Sequence, residues 1–231
     1  MAAQTSDTSR VIDKTRSSAW RDNIARSHLA AQMLSDADIA ASISKALQAW
    51  DGSSDVWLFA YGSLIWNPQV RFEEQRVGIV HGYHRRFCLW SRINRGTPDR
   101  PGLVLGLDRG GCCGGLAYRI AAKNVLAEMR ELWEREMLLG SYHPTWVNFR
   151  AGGEELRTLA FVVNRGSSGY TGRLAESAML EALHTACGRY GSCADYLLRT
   201  VDSLQALGIV DRQLTRLHQY LLKPAQTEAS S

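Results

Sequence analysis

The chain has 231 residues, of which 45% are hydrophobic and 22% charged, and a formal net charge of +4. That is enough for one sizeable core and too little for a second. The charge is mild and no Lys/Arg stripe interleaves with aromatic residues, so no nucleic-acid partner is expected; no apolar run nears the roughly 20 residues that cross a bilayer, so no membrane partner is expected either.

The N-terminal stretch, Met1-Ala-Ala-Gln-Thr-Ser6, is polar and lacks the apolar segment of a signal peptide. Asp7, Asp13 and Asp22 set it apart from an acid-poor transit peptide. Residues 1–53 read as an N-terminal extension, partly helical, with 1–15 loosely held. Ser35-Asp-Ala-Asp38 matches a capping box, and Ile39, Ile43, Leu47 and Trp50 follow at helical spacing. Asp51-Gly-Ser-Ser-Asp55 supplies turn chemistry. The main domain is expected over 54–222. Val56-Trp-Leu-Phe-Ala-Tyr61 is a continuous apolar run, the pattern of a strand buried on both faces. Further strands are predicted over 76–90, 102–108, 114–120, 145–150 and 155–164, and a helix over 121–139. After Gly172 the pattern turns helical; Gly208 stops one helix and Asp211 caps the next, and 223–231 reads as a flexible tail. Strands grouped first and helices last predict an α+β fold, a bent sheet or small barrel with helices packed outside.

Five cysteines, Cys88, Cys112, Cys113, Cys187 and Cys193, make an odd set that suits a reducing cytoplasm better than a disulfide scaffold. Cys112-Cys113 is a vicinal pair and not a CxxC metal motif, so it reads as two small thiols beside a glycine turn. His81, His84 and His143 show no triad order and read as structural or surface residues.

Two features carry chemistry. On the predicted 121–139 helix, Val125, Leu126, Met129, Leu132, Trp133 and Leu139 form one apolar stripe, with Glu131 and Glu134 opposite. Glu136 falls inside the stripe. A carboxylate there is paired, protonated or functional, since leaving it bare costs several kcal/mol. A structural reading pairs it with Arg85 or Arg86, or ends the helix early so that it reaches water; a functional reading uses burial to raise its pKa for proton transfer at neutral pH. The second feature is Ala60-Tyr61-Gly62-Ser63-Leu64-Ile65-Trp66, directly after the first strand. Here Gly62 is expected to take a φ that other residues avoid, and the N–H groups of Gly62, Ser63 and Leu64 to form an anion-binding nest. It is neither a phosphate-binding loop nor a nucleophile elbow.

Taken together these segments resemble the ChaC branch of the γ-glutamylcyclotransferases over about 54–222. The similar stretches are Phe59-Ala-Tyr-Gly-Ser-Leu-Ile-Trp66, Gly82-Tyr-His-Arg-Arg-Phe87, Arg95-Gly-Thr-Pro-Asp-Arg-Pro-Gly-Leu103 and Gly111-Cys-Cys-Gly-Gly-Leu-Ala-Tyr-Arg-Ile120. Arg135-Glu136 before Gly140-Ser-Tyr142, and Tyr170-x-Gly-x-Leu174, complete the set. The Glu136–Gly140 spacing resembles bacterial members more than animal ones. The resemblance implies a compact mixed β-barrel with flanking helices and cleavage of glutathione to 5-oxoproline and cysteinylglycine, with no cofactor and no metal. It implies Glu136 as the catalytic acid/base.

That reaction suits a lone carboxylate. The substrate's own α-amine attacks its γ-carbonyl, so proximity replaces an enzyme nucleophile. One carboxylate near the working pH serves both proton transfers. Phe59, Ala60, Tyr61, Gly62, Ser63 and Leu64 are expected to line the substrate site, with Tyr142 and Tyr170 as hydroxyl contacts and Arg85 on a substrate carboxylate, while Arg86 reads as structural. Two alternatives remain: cyclotransfer on other γ-glutamyl amides, and a non-catalytic ligand-sensing regulator associated with cation transport, for which a tight Glu136–Arg85 pair would speak.

Overall fold

In the computed structural model, which describes residues 21, 24, 25 and 29–222, the apolar run after the Asp51 turn forms strand β1, Val56–Ala60. The segments 1–15 and 223–231, expected to be loose, lie outside the described residues. Strands β2 (Glu74–Ser91), β3 (Gly102–Ile120), β4 (Tyr142–Ala151) and β5 (Glu154–Val163) join β1 in a closed barrel of order β1-β3-β2-β4-β5. Most neighbours are antiparallel; β1 closes the ring in parallel on β5 at Trp57↔Thr158 and Leu58↔Leu159. With six helices around it over residues 36–222, the chain has the expected mixed α+β barrel fold.

The two strands expected at 102–108 and 114–120 are one. Gly110 and Gly111 both adopt positive φ, 100° and 71°, facing a register slip between His81 and Tyr83 of β2. This irregularity bends both strands without ending their pairing, and that bend helps a long hairpin curl into a barrel.

Apolar residues sort onto the two faces of the barrel wall. Phe59, Val80, Leu107, Ala117, Val147 and Phe149 fill a cluster that no helix residue joins, so they occupy the barrel interior. Leu58, Ala60, Phe87, Leu105 and Phe161 face the helices instead. The alternation of Leu58, Phe59 and Ala60 between the two clusters explains why β1 is apolar throughout.

Four elements then position the site. Helix α1, Asp36–Ala46, starts on the Ser35/Asp38 capping box, in which Ser35 Oγ accepts from Asp38 N at 3.1 Å. Helix α2 is a four-residue turn, Ser63–Trp66, following β1. Helix α3, Val125–Glu136, follows a 3-10 turn over Ala122–Asn124. Trp133 Nε1 donates to Ser42 Oγ of α1 at 3.0 Å, Leu34 N to Leu138 O at 2.9 Å, and Trp146 Nε1 to Ala46 O at 2.8 Å, so the N-terminal stretch is clamped to α3 and β4. Helices α4 (Glu176–Thr185), α5 (Cys193–Ala206) and α6 (Arg212–Leu222) follow the barrel, with Asp211 Oδ1 accepting from Leu214 N at 3.1 Å as the α6 cap.

The expected 121–139 helix is therefore shorter, and its stripe is rotated. The buried line is Val125, Glu128, Met129, Leu132 and Trp133. Leu126, one position and about 100° from Val125, is 64% exposed. Glu128 takes a buried place and accepts from Arg71 N at 3.1 Å.

Candidate active site

Glu136 is the last residue of α3, and its side chain is only 15% exposed. The helix does end early, yet the carboxylate does not reach open water. Burial raises its pKa above the usual glutamate value, opposed by the positive charge of Arg135. Arg135 Nε lies 3.0 Å from Glu136 Oε1. The same guanidinium donates to Ser63 Oγ at 3.0 Å, Asn67 O at 2.7 Å and Gln69 Oε1 at 2.9 Å. One planar fork therefore ties the end of α3 to the glycine loop and sets the carboxylate beside it.

Three phenols share this neighbourhood: the Glu136 charge disfavours ionisation of Tyr61, Tyr142 and Tyr196, after burial, which is the larger cause for each. Tyr61 donates to Phe161 O at 2.7 Å and Tyr142 to Leu105 O at 3.3 Å. Tyr196 accepts from Leu105 N at 3.3 Å. A single residue of β3 thus anchors two phenols, one on its carbonyl and one on its amide. The Tyr196 oxygen is satisfied as an acceptor, and its proton has no acceptor among the described residues.

Gly62 does not need an unusual φ. Its φ is −133°, outside the left-handed region, which corrects the expectation from sequence. Space is the constraint: a Cβ there would stand 3.1 Å from the Tyr196 hydroxyl and 3.8 Å from Leu105 Cβ. Gly62 precedes the first turn of α2, whose leading N–H groups have no intrahelical partner.

The structure brings Tyr61, Gly62, Ser63, Glu136 and Tyr142 together, but places the other expected site residues elsewhere. Phe59 packs inside the barrel, its ring 5.7 Å from Phe149. The side chains of Ala60, at the end of β1, and Leu64, in α2, are buried in the helix-facing core. Arg85 does not pair with Glu136; its Nε meets Asp211 Oδ2 at 2.9 Å, while its other nitrogens donate to Tyr61 O at 2.7 Å and Gly114 O at 3.1 Å. It braces the loop from behind with its donors committed to protein. Tyr170 donates its hydroxyl to Asp108 Oδ2 at 2.9 Å, and Asp108, buried, also meets Arg165 at 2.7 Å and Arg86 at 3.5 Å. Burial would raise the Asp108 carboxyl, but the bonds from Arg165, Arg109 N and Tyr170 together hold it below its usual range.

Tyr196 and Arg135 were not singled out by sequence. Tyr196 lies on the buried line of α5 with Cys193, Leu197, Thr200 and Leu204, where an aromatic residue reads as core. Arg135 was visible only as the neighbour of Glu136. The five cysteines are all free thiols, and burial pushes Cys88 up to about 12 and Cys113 up to about 11, while Cys112 is exposed. His84 Nδ1 lies 2.9 Å from Gly110 O, and His81 and His143 are exposed. Among the described residues no group of three His, Cys, Asp or Glu side chains is placed to hold a metal ion, and no helix is long and apolar enough to cross a membrane.

A small closed barrel with a carboxylate only 15% exposed beside a glycine loop is an arrangement chemically suited to proton transfer. The ChaC-like protein family model matches residues 56–223, and the chain belongs to that family. The glutathione-specific gamma-glutamylcyclotransferase of Escherichia coli K12 is 35% identical over 179 residues, covering 77% of this chain and 78% of that one. Human glutathione-specific gamma-glutamylcyclotransferase 1 is 36% identical over 158 residues, 66% of this chain and 71% of that one. The crystal structure of the yeast glutathione-specific γ-glutamylcyclotransferase superposes with a TM-score of 0.68 at 21% identity, covering 72% of this chain and 95% of that one, a likeness of fold.

Proposed function

We propose that this protein cleaves the γ-glutamyl amide of glutathione by intramolecular cyclisation, releasing 5-oxoproline and cysteinylglycine. The observation that carries the reading is Glu136: a carboxylate 15% exposed, raised in pKa by burial, and tied through Arg135 to Ser63 of the glycine loop. The relatives' names, all glutathione-specific among the most similar, support the substrate.

The chemistry proceeds without an enzyme nucleophile. Glu136 takes a proton from the substrate's α-ammonium, and the freed amine attacks the γ-carbonyl carbon to close a five-membered ring. The ring nitrogen then gives up its second proton to solvent, and the C–N bond to cysteine breaks as Glu136 returns the first proton to the departing nitrogen. N–H groups at the start of α2 suit the α-carboxylate, since they carry partial positive charge and lack partners in the helix. Tyr196, with its proton unclaimed, suits the developing oxyanion. The free thiols and the mild charge fit a cytoplasmic enzyme acting on a small peptide. Arg85 is committed to Asp211, which removes the pairing that a non-catalytic regulator would show.

Incubation with glutathione and detection of 5-oxoproline and cysteinylglycine tests the reading directly. Equal turnover of γ-glutamyl-alanine would replace glutathione by γ-glutamyl amides in general, and no product from either would overturn the assignment.

A further inference from the structure

Past the C-terminal end of α3, which carries Glu136, lies a shallow cleft lined by Leu29, Gln32, Trp90, Arg92, Leu139, Ser141 and the Ser167–Gly169 turn. Arg92 is half-buried, yet no described residue gives its guanidinium a hydrogen bond, an ion pair or a ring contact. This is unusual within the molecule. Every other buried or half-buried arginine among the described residues, from Arg21 to Arg135, faces a carboxylate within 4 Å. Among the described residues no acidic side chain lines the cleft, and the polar groups beside Arg92 are hydroxyls, an amide and an indole. A cation that loses water without gaining a partner is kept at a cost unless an anion arrives to meet it.

The position of the cleft indicates which anion. Leu139 stands three residues beyond Glu136, and Ser141 immediately precedes Tyr142, whose phenol responds to the Glu136 charge. Trp90 N donates to Gly169 O at 2.8 Å, which fixes the far wall, and Ser168 Oγ donates to Gln32 Oε1 at 2.5 Å, which brings in a residue from the stretch preceding the family match. In glutathione the terminal glycine carboxylate lies two residues past the scissile amide, a reach of roughly 7 Å in an extended chain. We propose that Arg92, supported by the Ser141 hydroxyl, binds the C-terminal carboxylate of the cysteinylglycine leaving group and makes this site selective for a γ-glutamyl dipeptide with a free C-terminal carboxylate. This rests on the glutathione-cleaving reading above, which it deepens by adding the end of the substrate that takes no part in bond breaking.

The test uses the full chain with two substrates, glutathione and glutathione amidated at its glycine, with 5-oxoproline release as readout. The unmodified protein should show a KM about tenfold higher for the amide, the size of one charge-assisted hydrogen bond. Arg92→Ala should raise KM for glutathione by about the same factor, leave kcat within about twofold, and leave the amide unaffected; Arg92→Lys should restore part of the difference. An unchanged KM for glutathione in a folded Arg92→Ala protein, or an equal loss on both substrates, overturns the assignment of Arg92 alone. Failure of the unmodified protein to release 5-oxoproline from glutathione overturns the underlying reading and this one with it.

Discussion

At the scale of single residues, Glu136 has to be poised, and its surroundings account for how. Burial disfavours the charged form and Arg135 favours it, with burial the larger effect. The folded-state pKa is therefore above the unfolded value, so the folded protein holds this proton to higher pH than the unfolded chain does. Ionising Glu136 costs stability as pH rises from the ordinary glutamate range through the raised folded value. Glu136→Gln should accordingly lower 5-oxoproline release by at least about 100-fold, while melting no lower than the parent at pH 7. That thermal comparison should converge with the parent below pH 4.5, the ordinary glutamate value; a large loss of stability at neutral pH would show that the charge is structural. Arg135→Gln removes the opposing positive charge, so the acid limb of the kcat profile should move to higher pH. Retention of the parent's limb would contradict the Arg135–Glu136 coupling. Gly62→Ala should raise KM through crowding of the Tyr196 hydroxyl, which a Cβ would approach to 3.1 Å. Tyr196→Phe removes the crowded oxygen, so combining the two changes should cost less than the sum of each alone.

At the scale of elements, α3 places the glutamate and α1 holds α3. Ile39, buried under the clamp, should cost roughly 2–4 kcal/mol when cut to alanine, read as a lower denaturant midpoint with an unchanged m-value. These elements also show what was legible in the sequence. The capping box at Ser35, the β1 run and the Asp211 cap were readable because each depends on neighbours close in the chain. The role of Arg135 was not, since adjacent helix positions point about 100° apart and two neighbours are not expected to serve one site. The helix stops at Glu136, and the long guanidinium reaches back across to Ser63, a contact spanning 72 positions. Which face of α3 is buried depends on what packs against it, so Leu126 is exposed and Glu128 buried, an outcome that helical periodicity alone does not reveal. Gly110-Gly111 read as a break between strands because its chemistry is that of a turn; only the facing slip at His81/Tyr83 makes it a bend in one strand.

At the scale of the whole molecule, the expected α+β barrel was recoverable from the order of strands and helices, whereas the ionic fastening inside it was not. Asp108 is buried at the meeting of β2, β3 and the turn before Tyr170, held by Arg86, Arg165 and Tyr170. Asp108→Asn should destabilise by about 3 kcal/mol because it leaves a semi-buried arginine without its counter-charge, a fall in Tm of about 10 °C for a chain of this size. The Asp108 carboxyl titrates below its usual value in the folded state, so its stabilisation is complete above the unfolded pKa near 3.8 and is lost as pH falls through the lower folded value. The gap between parent and variant should narrow in acid; a constant gap across pH would contradict this account.

The anchoring of Tyr142 and Tyr196 on the two sides of Leu105 has a spectroscopic use. Any ligand that draws on the Tyr196 proton changes the acceptor strength of its oxygen, and the Leu105 amide bonded to that oxygen carries the change into its ¹⁵N and ¹H resonances. That amide is a built-in sensor, reporting occupancy at the carboxylate from within the barrel wall without any label on the substrate.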